Sequence, residues 1–228
     1  MRLCMFHPLD HPMERGWVGR IDDGRVVHLA AQTLQSFFTG GGSAREHAEY
    51  ERSDVRLLPP VLHPPAVRLF DDASSFTFAN PTAIVGPGAA VPAGRAGRLL
   101  LVPRLAAVVG HEGVLGGFTA LAEWRDPARQ PPKDRDFALG LGPSVCTHDA
   151  VEPDGLGALV RVDGSLALTG AFVGFDWKAA VAFAADGTEL RPGDLIAGPG
   201  LGAVDVAVGA AVEVEVEGVG VLDAAATT

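Results

Sequence analysis

The sequence predicts a mainly β fold with a few short helices, an α+β chain in which a small N-terminal β-rich domain precedes a larger β core. Three observations carry this. In AAVEVEVEGVGVL, residues 210–222, Val212, Val214 and Val216 alternate with Glu213, Glu215 and Glu217, the period of a strand with one wet face. In WVGRIDDGRVVHL, residues 17–29, two short alternating runs flank Asp23-Gly24, a pair that supplies the positive φ angles of a tight hairpin turn. Elsewhere 29 glycines and 17 prolines punctuate the chain and leave short β-rich runs between them.

Taken in order, the hairpin at 17–29 is a small β unit. AAQTLQSFF, residues 30–38, has helical spacing, and TGGGS with the polar AREHAEYERSD after it reads as a loop and a short helix. VRLLPPVLHPP, residues 55–65, carries four prolines, which exclude regular structure and place the boundary between an N-terminal domain at 1–58 and a core at 65–228. In the core, TAIVGPGAAV, LLLVPRLAAVVG and ALVRVDGSLAL are strand-like, and FDWKAAVAFAADG, residues 175–187, is the helical segment. No internal repeat is visible, and GPGLGAV at 198–204 lacks the lysine and helical continuation of a phosphate-binding loop.

Composition excludes several classes. With 47% hydrophobic and 20% charged residues the chain is a globular protein. A net charge of −10, with only 18 Lys and Arg, argues against a nucleic-acid surface. No apolar run approaches the ~20 residues that span a bilayer, and MRLCMFHPLDHP carries Asp10 and prolines where a secretory core would be apolar. Two cysteines, Cys4 and Cys146, without CxxC or His-rich spacing, fit a reduced cytoplasmic protein without structural zinc.

RLLLVPRLAAVVG, residues 98–110, places Arg104, a permanent cation, where the pattern wants valine. Either Arg104 faces solvent on an edge strand beside Pro103, or it turns into a pocket.

From Pro65 onward the punctuation resembles the fumarylacetoacetate hydrolase family. FTFANPTAIVGPG (76–88), LAAVVG (105–110), GFTALAEWRDPARQ (117–130), KDRDFALGLGP (133–143), LRPGDLIAG (190–198) and VEGVGVL (216–222) match its segments in order. The resemblance implies a mixed β-sandwich roll with a small N-terminal β-rich domain, commonly homodimeric, that polarises a diketo or oxo acid with Mg²⁺ or Mn²⁺. Two glutamates of the family's metal set fall at Val102 and Arg104, and its aspartate at Glu123. A hard divalent ion needs several oxygen ligands, and a guanidinium ~4 Å away would repel it by roughly 8 kcal/mol at an effective dielectric near 20. No metal or other cofactor is therefore expected, and Arg104 is expected to stand in the ion's place and pair with Glu123. The family's lid, with its histidine and glutamate, has no counterpart in VRLFDDASSFTF, residues 67–78, and a substrate-binding threonine falls at Gly200.

The resemblance thus implies an enzyme acting without metal on a small anionic substrate, an enolisable oxo or β-dicarbonyl acid, by tautomerase, decarboxylase or cyclase chemistry. Arg104 and Lys133 would bind and stabilise negative charge, Glu123 would orient Arg104 or move a proton, and Gln130 and Gly200 would line the substrate. One alternative is a non-catalytic ligand-binding or structural subunit, and another a metal-dependent C–C bond hydrolase using Glu112, Asp126 or Asp136. His111 lies at a strand end beside Glu112, and the remaining histidines form no metal-like grouping.

Overall fold

The computed structural model describes residues 1–94 and 97–228. The first strands are β1 (Arg2–Pro8), β2 (Trp17–Asp22) and β3 (Arg25–Leu29), followed by helix α1 (Leu34–Thr39), β4 (Glu46–Glu51) and β5 (Val55–Leu58). The β2–β3 turn holds Asp23 at φ 39° and Gly24 at φ 89°, the conformation the Asp-Gly pair supplies. Thr33 and Ser36 close a capping box on α1. The EHAEYE segment is strand β4 rather than a helix. It pairs with β3, and Arg20 and Arg25 bridge to Glu46, Glu49 and Glu51, so cross-strand charge pairs override helical preference. Nor do the prolines after residue 58 exclude regular structure before them: β5 pairs with β1 and ends at Leu58.

The core continues with β6 (Val67–Asp72), β7 (Ser75–Ala79), β8 (Ile84–Val85), β9 (Ala89–Pro92), β10 (Arg98–Val109), β11 (Leu115–Arg125) and β12 (Leu139–Thr147). Next come β13 (Leu156–Val162), β14 (Ser165–Phe172), helix α2 (Trp177–Ala185), β15 (Leu195–Ala197), β16 (Val204–Ala207), β17 (Ala211–Val216) and β18 (Gly220–Thr227). A 13-stranded sheet runs β4-β3-β2-β1-β12-β11-β10-β15-β6-β7, with β5, β8 and β16 attached to β1, β12 and β10. The second sheet is β14-β13-β17-β18-β9. Through β1–β12 pairing the N-terminal strands extend the core sheet.

Between the sheets, Leu99, Leu101, Leu105 and Trp124 pack with Val212, Val214, Val216 and Leu222, the valines the alternating pattern turned inward. The other face of the large sheet buries Leu3, Val108, Leu121 and Leu141. β10 is covered on both faces, which is why its sequence is almost continuously apolar. Pro103 fits this central strand because β16 pairs with 98–101 and β15 with 106–108, leaving a gap between them. Gly198 N–H and Leu201 N–H donate to Leu105 O and Pro103 O there, so the missing proline donor falls where no strand requires one. Among the described residues, no helix is long and apolar enough to cross a membrane.

Candidate functional site

In the β10–β11 register Leu100 opposes Arg125, Val102 opposes Glu123 and Arg104 opposes Leu121. Strand alternation therefore puts Val102, Arg104, Glu123 and Arg125 on one face. Arg104 turns inward, with 3% of its side chain exposed, and Glu123 is fully buried. Arg104 Nε donates to Glu123 Oε2 at 2.8 Å, Nη1 to the carbonyls of Phe70 (2.8 Å) and Gly198 (2.9 Å), and Nη2 to Asp71 Oδ1 at 3.2 Å. Both Nη1 hydrogens, the Nε hydrogen and one Nη2 hydrogen are thus engaged by protein oxygens. Phe70 and Asp71 come from β6, so the short segment that lacks a lid histidine and glutamate instead closes over the guanidinium.

The second oxygen of Glu123 is also shared. Arg125 Nε donates to Oε1 at 2.7 Å, and Arg135 Nη1 lies 3.6 Å from it. A buried carboxylate survives only when its charge is answered, and here three guanidiniums answer it. The hydrogen bond to Glu123, more than any other contact, raises the Arg125 pKa above its ordinary value. Asp134 pairs with Arg135 at 3.1 Å. The Arg125 side chain is 29% exposed, and among the described residues its two Nη groups have no hydrogen-bond partner. Arg125 was legible in the sequence, two positions beyond Glu123 on a strand. Arg135, Asp71 and the two carbonyls were not, because loop and hairpin geometry brings them in.

The other anticipated residues lie around this nest. Lys133 pairs with Asp136, keeps 67% of its side chain exposed and makes no contact with Arg104 or Glu123. Gln130 is exposed in the loop after β11. Gly200 lies against β10, where a Cβ would fall 2.3 Å from Val102 Cγ1, so the residues at 102 and 200 must be chosen together. His111 and His148 are exposed, and neither is a partner of Arg104. Desolvation pushes the Cys4 thiol up to about 12 and raises that of Cys146, so neither is a ready nucleophile.

Two clefts adjoin the nest. One of about 350 Å³ is walled by Phe78, Asn80, Pro131, Pro132, Arg135 and Asp136. The other, about 250 Å³, lies beyond residues 198–201 and contains Leu105, Phe175 and Trp177.

No family model and no curated protein matches the sequence. Solved structures do match. Maleylpyruvate hydrolase from Sphingobium sp. SYK-6 aligns over 100% of this chain and 99% of its own, with TM-score 0.83 at 21% identity. Fumarylacetoacetate hydrolase from the psychrophile Exiguobacterium antarcticum aligns over 100% and 99%, with TM-score 0.80 at 19% identity. 5-Carboxymethyl-2-hydroxymuconate delta-isomerase from Mycobacterium smegmatis aligns over 100% and 99%, with TM-score 0.80 at 21% identity. The chain has the fumarylacetoacetate hydrolase fold that the ordered segments anticipated.

One structure of the Sphingobium maleylpyruvate hydrolase is a complex with manganese(II) and pyruvate. The residues of this chain do not fit such an ion. The four oxygens that converge at Arg104, two carboxylate and two carbonyl, are occupied by its guanidinium, and Arg125 and Arg135 add positive charge on the far oxygen of Glu123. Among the described residues, no three His, Cys, Asp or Glu side chains are grouped to hold a metal.

Proposed function

We propose that this protein is a divergent member of the fumarylacetoacetate hydrolase family that works without a divalent ion on a small enolisable oxo or β-dicarbonyl acid, as a cytoplasmic homodimer. The observation that carries the reading is the buried Arg104 guanidinium, tied to Glu123 at 2.8 Å and to two carbonyls. It is a tethered cation where a metal-dependent relative would need carboxylates. Arg104 fixes Glu123, and Glu123 holds Arg125 with its Nη fork free to take a carboxylate or enolate oxygen. Lys133 reaches the same anion by giving up an exposed ion pair, a contact worth only about 0–1 kcal/mol. Gln130 and Gly200 border the substrate. The chemistry that suits these groups is proton transfer or decarboxylation through an enolate stabilised by fixed cations. Hydrolysis is disfavoured, since among the described residues the side chains paired with Glu123 are arginines and none is a histidine that could activate water.

A second reading, a non-catalytic ligand-binding or structural subunit, is favoured by one feature: nearly all donors of Arg104 are already engaged by protein oxygens. The deciding experiment incubates chelator-treated protein with oxo acids in D₂O and follows C–H exchange and decarboxylation by NMR. Exchange that survives chelation and disappears in Arg125→Leu supports the enzyme. Carboxylate binding without exchange supports the second reading. Activity that returns only with added Mn²⁺ overturns both.

A further inference from the structure

We infer that the cleft beyond residues 198–201 is a binding site for a small alkylammonium cation. This does not depend on the function proposed at Glu123: the 198–201 segment is the one wall the two sites share, and the other lining residues of the cleft take no part in that reading. Phe175 and Trp177 meet with ring centroids 4.8 Å apart at an interplanar angle of 87°, forming two perpendicular walls. Phe118 packs edge-on against Trp177 at 5.0 Å and fixes that wall from behind. Phe172, Leu105 and Leu201 complete an apolar lining.

Among the described residues the single ionisable side chain on this lining is Asp154, and its position is set by a hydrogen bond from Gly174 N–H to Oδ1. Its second oxygen has no protein donor among the described residues. Among the described residues no lysine, arginine or histidine lines the cleft, so a carboxylate or phosphate would meet aromatic walls and a carboxylate, with no cation to pair with. An alkylated ammonium matches on every count: its methyl groups suit apolar walls, and its charge is attracted both by the ring quadrupoles and by Asp154. Arg104 lies behind the wall at Gly198, but its charge is answered by Glu123 and Asp71 on its own side. The volume of about 250 Å³ admits a small head group rather than a nucleotide.

The test uses the whole chain at constant ionic strength, with tetramethylammonium, its uncharged isostere tert-butyl alcohol, and benzoate as probes, read by tryptophan fluorescence. Saturable binding of tetramethylammonium, at least about tenfold tighter than the alcohol, is expected, with no binding of benzoate. Asp154→Asn, on the exposed rim, should weaken the cation about tenfold and leave the alcohol unchanged. Trp177→Phe should abolish the signal, and Phe175→Leu should weaken cation binding without altering net charge. Equal affinity for cation and alcohol, an Asp154→Asn variant that binds both as before, or no saturable response would each overturn the assignment.

Discussion

Arg104 and Leu105 are neighbours on β10, yet the two sides they face are built by opposite rules. On the Arg104 side a fully buried carboxylate draws three arginines inward, and the space at Glu123 itself is filled, the cleft of about 350 Å³ beside it being bounded by Arg135 and not by Glu123 or Arg104. On the Leu105 side, apolar and aromatic walls leave a cleft of about 250 Å³. Charge taken out of water must be met at hydrogen-bond distance, so a buried ionic cluster leaves little room. Apolar walls make no such demand, and their rings keep their shape around a void. The lesson is that a buried guanidinium–carboxylate cluster fills the space it occupies, and usable space then lies beside it.

The most forceful way to break this contrast is Glu123→Gln. If the carboxylate is the hub, its loss leaves Arg104 buried and Arg125 and Arg135 half-buried against each other, and denaturant unfolding should show a loss of about 3–5 kcal/mol. Arg104→Met should cost less, about 1–3 kcal/mol, because Glu123 keeps Arg125 and Arg135 while Phe70 O and Gly198 O lose a donor. The reverse order would mean that the guanidinium, not the carboxylate, organises the nest.

A smaller effect sharpens the boundary between the two sides. Gly200→Ala places a Cβ against the stiff Val102 side chain and should destabilise by about 1–3 kcal/mol. Val102→Ala in the same chain should relieve most of that cost, a coupling measurable in a double-mutant cycle. Independent costs at the two positions would show that the 198–201 segment shifts freely, and that the wall between nest and cleft is not rigid.

Much of this was legible before any coordinates. The valine–glutamate alternation of β17, the Asp-Gly hairpin and the helix at 177–185 follow local rules, and the structure keeps them. The Arg104–Glu123 pair was anticipated from the segment order, and the register Val102 to Glu123 realises it. What the sequence concealed is non-local. The strand at 46–51 depends on arginines of β2 and β3, and the second half of the nest depends on a loop that returns Arg135 to Glu123 from twelve residues away. The aromatic cleft was missed because Phe175 and Trp177 read as helix-start residues, and only the packing of Phe118 turns their rings into walls.

The smallest expected effect on stability is the most informative about chemistry. Lys133 and Asp136 form an exposed pair, and such pairs contribute little, so Lys133→Ala should leave the unfolding free energy within about 0.5 kcal/mol of the parent. Arg125→Leu differs, because Arg125 is half-buried and answers Glu123. If both cations serve a bound oxo acid, both variants should weaken carboxylate binding in calorimetric titration, yet only Arg125→Leu should also lower stability. A Lys133→Ala variant with unchanged stability and unchanged carboxylate affinity would confine the anion site to the nest itself, with Arg125 as an outward-facing donor.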